Sequence, residues 1–225
     1  MRWGPTRAPS PPAMHRIGPD CAVAVFAKAP VPGTVKTRLV PPLTPHAAAD
    51  LQRRLLLHAL ATATAAAHSV SLHCAPALTH PVFAACAERW PIALHAQRGD
   101  TLGERLHAAF DALLARHRAA IIIGTDAPAL GADALRAAHA ALTTDRPAVF
   151  VPAEDGGYAL IGLMRCAPAV FADIAWGTER VMAQTRAALQ ALGWRWTELP
   201  PVWDVDRPDD YARMVREGRL DALPA

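Results

Sequence analysis

Short, wholly apolar runs alternate with longer helical ones along this chain, and that alternation limits its fold more than any other feature. The clearest run is Ala119–Gly124, AAIIIG. A strand with no polar position cannot leave either face in water, so both faces must be covered. Further β-rich runs are Ala22–Ala27, Val70–Ala75, Ile92–Ala96, Ala148–Pro152, Tyr158–Leu163 and Trp194–Leu199. Helical spacing fills the gaps. Leu51, Leu55, Leu56 and Leu60 share one face of Pro45–Ala67, and Leu102, Leu106, Phe110 and Leu113 share one face of Thr101–His117. Pro81–Trp90, Thr178–Leu192 and a segment opened by Asp204–Pro208 and running to about Gly218 read as further helices. This order predicts an α/β domain with a mostly parallel sheet covered by helices on both sides. A hairpin through the polar turn Ala153–Gly157 would make the sheet mixed.

A chain of 225 residues suits one such domain. Residues 1–19 carry Pro, Arg and Gly without an apolar core and read as a disordered tail before a single domain at 20–225. They lack the apolar segment of a secretory signal, and no stretch is long and charge-free enough to span a bilayer, so a cytoplasmic protein is expected. Net charge is +3, without a run of five basic residues, which argues against nucleic-acid or membrane-surface partners. Cys21, Cys74, Cys86 and Cys166 form no CxxC pair and read as free thiols in a reducing compartment. Nothing in the sequence fixes an oligomeric state.

Several common chemistries find no support. There is no GxG, so the dinucleotide fingerprint is missing. Gly33-Thr-Val-Lys36-Thr37 separates Gly from Lys and is not a P-loop. None of the three serines lies in GxSxG, and no HExxH occurs.

In open α/β sheets ligands bind beyond the carboxyl ends of the strands. Four segments fall there. The first loop, Lys28-Ala-Pro-Val-Pro-Gly33-Thr-Val-Lys36-Thr37-Arg38, holds both lysines of the chain. Compact ammonium groups on a Gly/Pro-shaped loop suit a polyphosphate, and Arg38 adds a fork; a solvated surface loop is the alternative. Asp126 follows the most apolar strand and suits Mg²⁺, which takes one or two carboxylates, although it could instead open a turn or cap a helix. Asp204 and Asp206 fall on one side of an extended segment before a Pro-led helix start, where capping again competes with metal binding. Glu154-Asp155-Gly156-Gly157-Tyr158 reads either as a plain turn or as a substrate contact. Thr178 is a plausible helix cap.

The stretches FAKAPVPGTVKTRL, GDTLGERL, IIIGTDAPAL, VPAEDGGYALIGL, AWGTERV and WDVDRPDDY cover nearly all of residues 20–217. Together they resemble the GT-A-like transferases known as radical-SAM/selenodomain-associated transferase 1. That resemblance implies a three-layer α/β/α sandwich of the nucleotide-diphospho-sugar transferase type. It also implies nucleotide-phosphate contacts at Lys28, Gly33, Lys36, Thr37 and Arg38, and Mg²⁺ or Mn²⁺ on Asp126 and Asp206 with Asp204 alongside. Arg207 stands where Thr is common, and the first loop lacks the Ala-Gly-Gly run of nucleotidyltransferases.

The reading preferred from sequence is metal-dependent nucleotidyl transfer to a small anionic acceptor with release of pyrophosphate. Lys36, Arg38, Asp126 and Asp155 would be catalytic, and Asp155, Gly156, Tyr158 and Thr178 would shape the acceptor pocket. The alternatives are glycosyl transfer from a nucleotide sugar, with Glu154 or Asp155 as base, and a nucleotide-binding accessory protein without turnover.

Overall fold

The computed structural model describes residues 16–220. Seven strands form one sheet: β1 (Ile17–Lys28), β2 (Ala67–Ala75), β3 (Ala93–Ala96), β4 (Ala119–Ile123), β5 (Ala148–Pro152), β6 (Tyr158–Leu163) and β7 (Trp196–Glu198). Their order across the sheet is β3-β2-β1-β4-β6-β5-β7. All pairings are parallel except those of β6, which runs antiparallel to both β4 and β5. The turn between β5 and β6 is too short for a parallel crossover, which needs a dozen residues or more. The mixed sheet expected from that turn is therefore present.

Among the described residues there are six α-helices: α1 (Pro45–Ala66), α2 (Pro81–Arg89), α3 (Leu102–Leu114), α4 (Ala132–Ala141) and α5 (Val181–Ala191), which lie over the sheet, and α6 (Pro208–Arg216), which packs on the first loop. Alternate residues of β4 point to opposite sides. Ile121 and Ile123 pack with Leu56 and Leu60 of α1, Phe83 of α2 and Leu135 of α4. Ile122 packs on the other side with Phe110 of α3 and Met182 and Leu189 of α5. The result is three layers.

A third, smaller core lies beyond the carboxyl ends of the strands. Leu39 and Leu43 from the first loop, Leu51 and Leu55 of α1, Trp203, Val205 and Met214 of α6 form it. This cluster ties the first loop to the segment before α6, which are distant in sequence.

Several boundaries differ from the sequence reading. Residues 1–15 of the expected tail lie outside the described residues, but Ile17, Gly18 and Pro19 belong to β1. Ile17 is buried and pairs with Ala67, and the Arg16 guanidinium donates to the Thr64 carbonyl at 2.7 Å. The strand passes through Gly18-Pro19-Asp20 with a register irregularity before Ala22. At the other end of β7 and α5 the elements are shorter than expected, and Thr178 precedes α5 by three residues.

The four cysteines are free, and three of them are buried. Burial, with Asp20 adding to it, pushes the Cys21 thiol up to about 12, so it behaves as a small apolar side chain.

Candidate active site

The four segments picked out from the sequence meet at the carboxyl edge, and their charged groups divide into two sets.

The first set surrounds Lys36. The loop after β1 turns at Gly33, whose φ is +79°, and Lys36 itself is left-handed at φ 50°, ψ 35°. Such a conformation in a residue with a side chain costs about 1–2 kcal/mol. The 3-10 turn Thr37–Leu39 follows at once, and buried Leu39 anchors it. This geometry sends the Lys36 side chain inward, where it is only 4% exposed. Its ammonium meets Asp126 Oδ1 at 2.8 Å and donates to the Val205 carbonyl at 2.7 Å. The Val205 N–H in turn donates to the Asp126 carbonyl at 2.8 Å. Lys36 thus faces protein groups, not the open edge where phosphates would lie. Lys28, Thr37 and Arg38 are exposed. The Arg38 guanidinium pairs with Asp206 Oδ2.

Asp126 is not a helix cap, because α4 begins later with Gly131 as its N-cap. Its carboxylate is half exposed and is held from below. Thr125 Oγ1 donates to Asp126 Oδ1 at 3.0 Å, and the buried Gln52 side-chain amide donates to Thr125 Oγ1 at 3.0 Å. Asp206 does not accept from the first turn of α6. Its N–H and that of Arg207 instead donate to Asp210 Oδ2. Asp204 is half-buried, and burial, then the Asp155 and Asp126 carboxylates, push its carboxyl up to about 6. These three carboxylates therefore sense one another.

The second set lies around the β5–β6 turn. Gly156 has φ +92°, and a Cβ there would sit 2.2 Å from the Glu179 carbonyl oxygen. The turn is locked onto the start of α5 by the Met182 N–H, which donates to the Gly156 carbonyl at 2.9 Å. Asp155 Oδ1 accepts from the Gly157 N–H at 2.8 Å. Glu154, a candidate base from sequence, is instead engaged by Arg213 at 2.9 Å. Thr178 donates to the Ala175 carbonyl at 2.7 Å and holds the loop before α5.

Beneath this turn opens a cavity of about 200 Å³, lined by apolar and aromatic side chains including Phe26, Leu106, Ile122, Tyr158 and Trp176, with Asp155 and Thr178 as further polar groups. No Lys, Arg or His lines it. The Tyr158 ring sits edge-on to Phe150 and Trp176. Its hydroxyl is buried without a hydrogen-bond partner, and burial raises the phenol above its ordinary range. Of the residues that the sequence assigned to an acceptor pocket, Asp155, Tyr158 and Thr178 line this cavity and Gly156 does not. Sequence reasoning gave no role to Phe26, Leu106 and Trp176, which read as ordinary core, or to Gln52 and Thr125, which carry no local signal.

Among the described residues, no three His, Cys, Asp or Glu side chains gather into a ready metal cage. The donor set still fits Mg²⁺ or Mn²⁺, which take one or two carboxylates and complete their shell with phosphate and water. Asp126 offers a second, outward oxygen and Asp204 lies within its field. Asp206 pairs with Arg38 at the exposed edge.

The fold is of the nucleotide-diphospho-sugar transferase type. A crystal structure of a protein from Desulfovibrio desulfuricans G20, provisionally described as a nucleotide-diphospho-sugar transferase, is 28% identical. The match covers 90% of this chain and 89% of that one, with a TM-score of 0.78. CMP:2-keto-3-deoxy-manno-octonic acid synthetase complexed with CTP shares the fold at 12% identity, with 89% and 99% coverage and a TM-score of 0.56. So does 4-diphosphocytidyl-2C-methyl-D-erythritol synthase, at 14% identity, 90% and 99% coverage and a TM-score of 0.56. No curated protein matches the chain. The chain belongs to the family described as "Uncharacterized protein conserved in bacteria (DUF2064)", whose profile matches residues 56–178. That span includes Asp126, Asp155, Tyr158 and Thr178 but neither the first loop nor Asp204–Asp206.

Proposed function

We propose that this protein transfers a sugar or similar hydroxylated group carried on a nucleotide. One observation carries the reading: positive charge and cavity are segregated. Lys28 and Arg38 stand exposed on the first loop, whereas the cavity beside it is apolar, aromatic and without a cation. Phosphates belong on the first side. An aromatic-walled cavity with a carboxylate and a hydroxyl suits a neutral ring that offers C–H faces and hydroxyls. A phosphorylated or carboxylated acceptor would find only Asp155 there, which favours a neutral acceptor over the anionic one expected from sequence. The provisional description of the Desulfovibrio protein agrees with a nucleotide-sugar donor.

In this reading the donor's diphosphate lies along the first loop, with Arg38 and Lys28 facing its oxygens. A divalent cation on Asp126 and Asp204 would neutralise charge developing on the diphosphate. Asp155, whose Oδ1 is fixed by Gly157, keeps its other oxygen to accept a hydroxyl proton. Tyr158 and Trp176 exclude water around the bound ring. A second reading, nucleotidyl transfer with release of pyrophosphate, draws support from the fold shared with the two cytidylyl-type enzymes.

The product separates the two. Panels of nucleotide sugars and of nucleoside triphosphates are incubated with Mg²⁺ and a pool of neutral polyols together with phosphorylated and carboxylated metabolites. Nucleoside diphosphate from a nucleotide sugar is expected. Pyrophosphate from a triphosphate, with no diphosphate from any nucleotide sugar, would replace glycosyl by nucleotidyl transfer.

A further inference from the structure

The sequence puts Lys36 in a phosphate loop, but its ammonium points into the protein. We infer that Lys36, Thr125 and Gln52 are positioning residues that hold the Asp126 carboxylate by one oxygen and leave the other for the ligand. The identity of that ligand rests on the function proposed above; the holding does not.

Both side-chain contacts to Asp126 fall on the same oxygen, Oδ1, from Lys36 at 2.8 Å and Thr125 at 3.0 Å. A threonine hydroxyl has one proton to give. Because Gln52 donates to Thr125 Oγ1, that proton is free to be spent on Asp126, and Gln52 sets its direction. The Lys36 ammonium divides between Oδ1 and the Val205 carbonyl, and the Val205 N–H returns to the Asp126 carbonyl. Residues 36, 126 and 205 are thereby cross-tied at the carboxyl edge. Swinging Lys36 outward to a phosphate would strip the partner from the Val205 carbonyl and remove the cation from Oδ1. Exposure follows the same division: the Lys36 side chain is 4% exposed and that of Asp126 51%. Fixed partners of this kind around a ligating group are worth about 10–100-fold in affinity.

Lys28 and Lys36 are the only lysines, which makes the test direct. The full-length protein is acetylated briefly with acetic anhydride, and each lysine's modification is read by peptide mass spectrometry. Without nucleotide, Lys28 should react at least about ten-fold faster than Lys36, whose reaction requires local opening. Asp126→Asn should speed Lys36 several-fold, as should Thr125→Val to a lesser degree, with Thr125→Ser restoring protection. Gln52→Leu should add nothing in a Thr125→Val background, as members of one relay do. Melting curves of each variant confirm folding. Lys36 reacting as fast as Lys28, and becoming protected only on adding Mg²⁺ with a nucleotide, would overturn the inference and make it a phosphate ligand. Thr125→Val with unchanged Lys36 protection would remove Thr125 and Gln52 from it. A protein that binds no nucleotide refutes the proposed function, while the contrast between the two lysines still decides the brace.

Discussion

The two halves of the carboxyl edge are built differently. Around Asp126, polar groups from four distant segments lock one another: Lys36 and Val205 are 169 residues apart, and Gln52 and Thr125 are 73. Around the cavity the side-chain ties are local, from the Asp155–Gly157 turn and the Thr178–Ala175 contact, a single backbone bond from Met182 to Gly156 joins turn to helix, and the walls are packed rings. The difference teaches a division of labour. A charged group held at a fixed angle needs several directional partners, whereas the wall of an apolar cavity needs only shape and packing.

The most severe way to break the cavity half is Gly156→Ala. Its Cβ would meet the Glu179 backbone at 2.2 Å, in a conformation that disfavours any side chain. The turn must leave α5, at a cost of about 3–4 kcal/mol. Thermal or urea unfolding checks this, and a loss below 1 kcal/mol, on the order of an ordinary surface change, would show that the turn is loosely held.

The next effect concerns His73 of β2, which stacks on cavity-lining Phe26 and lies beside His95. Burial, then His95, lowers its pKa to about 4. The native state therefore refuses a proton that the unfolded chain accepts below about 6.5. Its contribution is complete above that pH and falls as pH drops toward 4, by about 3 kcal/mol in all. Urea midpoints between pH 7 and 4 measure the slope. His73→Phe should flatten it, and an unchanged slope would assign the loss to other groups.

In the braced half, Asp126→Ala should weaken metal-dependent nucleotide binding by about 100-fold, equivalent to about 2.7 kcal/mol. Calorimetry with and without Mg²⁺ reads it. Equal affinity in both conditions for the wild type would sink the metal assignment. Smallest is Arg38→Ala: its exposed pair with Asp206 contributes about 0.2–1 kcal/mol to stability at most. Nucleotide affinity should fall by more than stability does. The reverse would make Arg38 a clamp on the segment before α6, extending the brace to the surface.

Among the described residues the molecule has no helix long and apolar enough to cross a membrane. The sequence by itself determined what is local. Periods of two and 3.6 placed Ala148–Pro152 and Tyr158–Leu163 at their observed bounds and α1 within one residue. Turn chemistry at 153–157 gave the antiparallel strand, and position after apolar strands put Asp126 and Asp155 at the edge. Only the tertiary structure decided which way Lys36 points, that Glu154 is taken by Arg213, that Asp206 is taken by Arg38, and that Phe26, Leu106 and Trp176 share a cavity. β1 likewise continues through Gly18-Pro19-Asp20 because Ile17 is buried and pairs with Ala67 of another strand. Periodicity reports the face a residue takes within its own element. A salt bridge or cavity joining residues scores of positions apart depends on how those elements pack, which neighbouring residues in the chain do not encode.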